Sequence, residues 1–180
     1  DRGGRPVGLT CADGFFLGAR RIEALDGTQW EAGRRLLINR SVEVAIFENP
    51  PRALLRDGLP YDRALVGVVT DLGGRETLAE HDVLDDDQML RVLRTQVDVV
   101  LSQGAAVLNA DEPRLLELAE LCDGAVVLYG RSAQLPALAA HLERDGRAVT
   151  LRDGQIVLHQ GSSLEPCGNG RGSEVVRRLG

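Results

Sequence analysis

The stretch "ALVGVVTDLGGRETLAEHD", residues 64–82, decides the fold. An apolar, β-rich run from Ala64 to Val69 gives way to Thr70, Asp71, two glycines and a burst of charge. A short apolar run bounded by turn residues reads as a strand buried on both faces, the kind found in parallel sheets. In such a sheet, the loop past the carboxyl end of a strand is where ligands usually sit.

Working outward, the same strand signature recurs. Pro6 to Thr10 is a short strand, residues 13–23 read as a hairpin around Gly18, and residues 42–48 alternate and then become fully apolar. Ala105–Leu108 and Ala125–Tyr129 are further apolar strands. Between them lie helical patterns at residues 30–38, 50–58, 111–121 and 135–144, with Asp111 expected to cap the third. The longest helix is predicted from Asp85 to a stop at Gly104. It opens on an Asp85/Gln88 capping box and carries Met89, Leu93, Val97 and Val100 as its apolar stripe. Residues 147–159 read as a hairpin turning at Asp153-Gly154. The alternation predicts an α/β fold: a mostly parallel sheet with helices on both faces, and peripheral β-hairpins. The expected organisation is one domain over residues 1–161 and a Gly/Ser-rich, arginine-tipped tail or linker over 162–180.

Composition narrows the function. The 180 residues carry a net charge of −6, which disfavours nucleic acid and anionic membrane as partners. No apolar stretch approaches the roughly 20 residues of a membrane span. Cys11, Cys122 and Cys167 are widely spaced without zinc-binding pattern, which suits a reduced, cytoplasmic setting. All 21 basic residues are arginine. A lysine Schiff base, a lysine general base and a GxxxxGK[ST] phosphate loop are therefore excluded from this stretch.

Two places could carry chemistry. Glu48 ends an apolar strand, where a carboxylate either holds a hard cation such as Mg²⁺ or is simply solvated. Asp71, Arg75, Glu76, Glu80, His81 and Asp82 crowd the loop after residue 70, where Gly73-Gly74 would let backbone amides approach an anion. The alternative reading of that loop is a solvated mixture of charges. His141 and His159 read as structural, and no Ser/His/Asp or Cys/His arrangement has supporting context.

Four stretches together resemble a known family. They are "LTCADGFFLGARRIE" (9–23), "VEVAIFENPPRALLRDGLPYDRALVGVVTDL" (42–72), "GAAVLNADEP" (104–113) and "LAAHLERDGRAVTLRDGQIVLHQG" (138–161). In order and spacing they are similar to the central domain of the Mur-type ligases, most of all to the Mur-like half of the cyanophycin synthetases. The resemblance implies an ATP-dependent acid–amino acid ligase that works through an acyl phosphate, with ATP and Mg²⁺ as cofactors. It further implies an aspartate- and arginine-containing peptide as substrate. The expected partners are the remainder of a longer ligase chain and further copies of this one.

Carried over by position, the resemblance assigns metal binding to Glu48 and nucleotide binding to Asp71, Asn109 and Asp111, and it names no catalytic residue. It also marks departures. Pro51-Arg52-Ala53 stand where the family has Arg-Gly-Gly, and Arg75-Glu76-Thr77-Leu78 where it has Asp-His-Leu-Gly. The family's helical lysine falls at about Leu93, Glu112 stands in place of a second Asp, and the phosphate loop would lie before Asp1. The stretch is therefore expected to be a fragment that is not catalytically competent alone. The alternative expectation is a degenerate ligase domain that serves as a structural, dimerisation or polymer-binding module.

Overall fold

The computed structural model describes residues 4–161 and 163–166. The chain divides into two compact units, Asp1–Asp62 with Gly74–Val92, and Arg63–Gly73 with Leu93–Gly180. Each is described by itself.

The first unit holds a four-stranded sheet in the order β3-β2-β1-β4. Strands β1 (Val7–Cys11), β2 (Gly14–Leu17) and β3 (Arg20–Glu23) form an antiparallel meander. Strand β4 (Val44–Phe47) runs parallel to β1 with Thr10 opposite Phe47. Helix α1 (Trp30–Leu37) packs on this parallel pair, and Leu36 is fully buried beside it. Helix α2 (Pro51–Asp57) begins on a proline, which suits the first helical turn, and stops at Gly58 with φ +73°. Both helices lie where the sequence pattern places them. With no lysine available, cations here sit over rings: Arg21 over Phe16, Arg34 over Trp30 and Arg35 over Phe15, at 5.5–5.9 Å from the centroids.

The second unit is a six-stranded sheet, β10-β9-β8-β7-β6-β5. Strands β5 (Ala64–Val69), β6 (Val100–Asn109), β7 (Ala125–Gly130) and β8 (Arg147–Arg152) are parallel neighbours in chain order. Strand β9 (Gln155–Gln160) returns antiparallel through a two-residue turn in which Asp153 and Gly154 both have positive φ, 51° and 74°. That is the geometry an Asp-Gly hairpin favours. Strand β10 (Ser163–Pro166) adds a last antiparallel edge inside the stretch read as tail. The rest of that tail, Cys167 included, lies outside the described residues.

The mostly parallel, helix-flanked sheet agrees with the sequence reading, but two helices do not. Asp86–Leu93 is a helix (α3) with the expected capping box: Gln88 N–H donates to Asp85 Oδ1 at 2.8 Å and Asp85 N–H to Gln88 Oε1 at 3.1 Å. The helix does not run to Gly104. A four-residue helix, α4 (Thr95–Asp98), follows, and from Val100 the chain is strand β6. The β-branched pair Val99-Val100 favours extended backbone, and pairing with β5 decides the matter: Ala64 N–H donates to Val99 O at 2.8 Å. Gly104 is therefore no helix stop. A Cβ there would stand 2.4 Å from the Leu65 carbonyl, so only glycine lets the two strands approach.

The second correction is Pro113–Leu121, which is a 3₁₀ helix rather than an α-helix. Leu115 and Leu118 are both buried, and their spacing of three aligns them on one face of a three-residue turn. Asp111 does not cap it. The N-cap is Glu112, held extended ahead of Pro113, with no side-chain cap bond.

Helices α4 and α5 (Pro136–Glu143) lie on one face of the second sheet, not on both. A Cβ on Gly67 would meet Gln96 O, and one on Gly130 would meet Leu135 and Leu138. Gly67, Val69, Ala106, Leu108, Leu128 and Gly130 share that face, and Leu108 and Ala106 are fully buried. The opposite face carries Val66, Val68, Val107, Asn109, Val127, Tyr129 and Val149, and Val66 is 57% exposed.

Candidate functional site

Three of the four predicted site residues share one edge of the second unit. Asp71 follows β5, Asn109 ends β6 and Asp111 follows it, so all three stand at the carboxyl ends of adjacent parallel strands. Hydrogen bonds lock them. Asn109 Nδ2 donates to Thr70 O at 2.9 Å, and Asn109 Oδ1 accepts the Asp111 N–H at 3.0 Å. Asp111 Oδ2 accepts the Arg131 N–H at 3.0 Å, which brings in the end of β7. Asp71 folds onto its own loop, with Oδ1 accepting the Gly73 N–H at 2.8 Å and Oδ2 accepting the Thr70 hydroxyl at 2.8 Å. The Gly73 amide, read as part of an anion cradle, thus already has an anion: Asp71.

A residue the sequence reading missed completes this edge. Tyr129 lies opposite Asn109 in the β6–β7 register, and its hydroxyl reaches to 3.5 Å from Thr70 O, on the far side of β6. Partial burial holds its hydroxyl above the ordinary range of about 10, and the nearby carboxylates of Asp71 and Asp111 add to the shift. The phenol therefore stays protonated at neutral pH. Its signal in the sequence was an aromatic at the end of an apolar strand.

Glu48 belongs to the first unit. It stands just past β4, its main-chain N–H donates to Thr10 O at 2.9 Å, and its Oε2 accepts the Ala12 N–H at 2.7 Å. A small pocket opens here at the carboxyl ends of β1 and β4, lined by Thr10, Thr28, Trp30, Phe47, Glu48 and Asn49. Asn49 Nδ2 donates to the Tyr61 hydroxyl at 2.9 Å, and the Tyr61 ring lies 4.9 Å from that of Phe47. Burial raises the Tyr61 hydroxyl above its usual range, partly offset by the Asn49 bond.

The charged loop resolves into pairs within the first unit. Arg52 binds Glu80 at 2.8 Å, His81 Nε2 stands 3.6 Å from the same carboxylate, and Arg75 pairs with Asp86. Glu76 and Asp82 are exposed. Among the described residues, no group of three or more His, Cys, Asp or Glu is placed to hold a metal ion. His141 Nε2 donates to the Arg147 carbonyl at 3.1 Å, and His159 shares a buried hydrogen bond with Thr150 at 2.7 Å, as structural histidines do.

No protein-family model matches the chain. It is similar to the cyanophycin synthetases of Crocosphaera subtropica (33% identical over 158 residues), Geminocystis herdmanii (32% over 158 residues) and Synechocystis (30% over 159 residues). Each alignment covers 88% of this chain and 18% of the relative. The chain is thus related to cyanophycin synthetases and spans less than a fifth of their length. Among the described residues, no helix is long and apolar enough to cross a membrane.

Proposed function

We propose that this chain is part of a cyanophycin synthetase-like, ATP-dependent acid–amino acid ligase, of the Mur type, and that it does not catalyse ligation on its own. The observation that carries the reading is the placement of Asp71, Asn109 and Asp111. Each stands at the carboxyl end of a parallel strand, where α/β folds bind ligands, within a stretch similar to those synthetases.

Phosphoryl transfer needs a phosphate cradle, Mg²⁺ and an orienting positive group. Glu48 offers one carboxylate whose Oε2 is already on the Ala12 amide, the Arg52 guanidinium is paired with Glu80, and the chain has no lysine. These groups do not fit a Mg²⁺–triphosphate by themselves. The edge around Asn109 suits an uncharged, hydrogen-bonding group better. In this reading the residues shape and stiffen a site, while the rest of a longer ligase chain supplies the phosphate groups and the aspartate/arginine peptide substrate. A cytoplasmic setting goes with it.

A second reading is favoured by the Glu48–Ala12 bond and the Pro51-Arg52-Ala53 departure: a degenerate ligase domain kept as a structural, dimerisation or polymer-binding module. Titrating Mg²⁺-ATP into the longest natural reading frame that contains this stretch separates the two. Binding that weakens in Glu48→Ala supports the ligase reading. Absence of binding in folded protein supports the scaffold.

A further inference from the structure

We propose that the bare face of the second sheet, over β5, β6 and β7, is the seat of one amphipathic α-helix contributed by a part of a longer ligase chain outside residues 1–180. The inference rests on the reading above that this chain is part of such a ligase. Strand pairing sets Val66 beside Ala105 and Ala125, and Val68 beside Val107 and Val127, all on the face away from α4 and α5. Val66 is 57% exposed and Val68 47%, while Val107 and Val127 are half-buried. One residue along the same strand, on the helix-covered face, Ala106 and Leu108 are fully buried. A strand with one face in water alternates apolar with polar residues. These strands are apolar on both faces, which is the pattern of a sheet covered twice.

The size and charge of the face select a helix. Three adjacent strands span about 10 Å, the width of one α-helix with its side chains. Helices that cover a parallel sheet belong to crossovers and run back against its strands. Such a helix starts over the carboxyl ends, where Asp71 and Asp111 stand, and ends over the amino ends, where exposed Arg147 lies opposite Val127. Acids near the positive end of the helix dipole and a cation near its negative end both favour that placement. A second copy of this chain fits less well, because parallel sheets are covered by helices rather than by other sheets and each copy carries a net charge of −6. The relatives extend far beyond the matched stretch, which is 18% of their length, so a longer chain of that kind has the material to spare.

The test places a thiol on the face, Val66→Cys, in the longest natural reading frame that contains this stretch, and follows its alkylation by iodoacetamide with peptide mass spectrometry. Gln155→Cys, at an exposed position beside the Asp153-Gly154 turn, is the control. The native protein should label Val66→Cys about tenfold or more slowly than the urea-unfolded protein, at every protein concentration, and Gln155→Cys nearly as fast. A benzophenone maleimide on Val66→Cys should crosslink to a helical segment outside residues 1–180 of the same polypeptide. Thermal melts confirm that the variants are folded, and Val68→Cys replaces Val66→Cys if the latter is not. Full-speed labelling in folded protein, protection lost on dilution, or a crosslink to a second copy or within residues 1–180 overturns the proposal. If Mg²⁺-ATP binding depends on Glu48 while Val66→Cys labels freely, the helix falls and the ligase reading stands. If the crosslink forms but Mg²⁺-ATP does not bind, the helix stands and the ligase reading falls.

Discussion

Asn109 and Thr70 are joined by a single 2.9 Å hydrogen bond that spans the gap between the ends of β6 and β5. The same amide group, through its oxygen, holds Asp111 in the loop that follows β6. One side chain therefore fixes two loops. Asn109→Ala removes both bonds and is expected to destabilise the chain by about 1–3 kcal/mol, each bond contributing roughly 1 kcal/mol. Urea denaturation gives the loss, and faster hydrogen exchange at the Asp111 amide localises it. An unchanged midpoint would mean that the edge is held by something else.

Gly104 carries a sharper penalty. Its missing side chain lets the Leu65 carbonyl come within 2.4 Å of where a Cβ would be, and both partners are backbone, which cannot rotate away. Gly104→Ala should cost about 2 kcal/mol or more, as overpacking against fixed atoms does. Thermal melting of the variant measures it. A stabilised Gly104→Ala would mean that Gly104 is not pressed against β5.

The capping box of α3 is a milder case. Asp85→Ala leaves the Gln88 amide without its acceptor and should destabilise by about 1 kcal/mol. Asp85→Asn, which keeps an oxygen in place, should recover most of it. Equal losses in the two variants would speak against a hydrogen-bonded cap.

His159 sets a pH dependence. Burial holds its pKa below the ordinary 6.5, with the positive charge of Arg152 adding to the shift. The folded chain thus binds fewer protons than the unfolded one between that lowered value and 6.5, and stability rises with pH across the window. The contribution is complete above pH 6.5 and is lost as pH falls through the folded-state pKa. His159→Gln should flatten the curve of denaturation midpoint against pH in this range. A slope unchanged by the substitution would assign the effect to another group.

How much was legible depends on the range of the interactions. The hairpin at Asp153-Gly154, the proline-led α2 and the Asp85/Gln88 box are written in neighbouring residues, and the sequence shows them directly. Asp71 stood out as an acid just past an apolar strand, whereas Asn109 and Asp111 became candidates only through the resemblance to the Mur-type ligases. What they do was not visible, since Asp111 meets Arg131 across 20 residues and Tyr129 meets Thr70 across 59. The long helix failed for the same reason. Met89, Leu93, Val97 and Val100 are indeed all buried, but burial alone does not distinguish a helical stripe from a helix followed by a strand. Pairing with β5, more than thirty residues earlier in the chain, made the choice.

The chain leaves the second unit after Gly73, spends residues 74–92 in the first, and returns at Leu93. Neither unit is a continuous stretch of gene. A truncation after residue 62 would strip the first unit of α3 and its ion pairs, and a start at residue 93 would deprive the second of β5. No breakpoint between these positions leaves both halves whole. Any cut between residues 62 and 93 therefore parts segments that fold into the same unit.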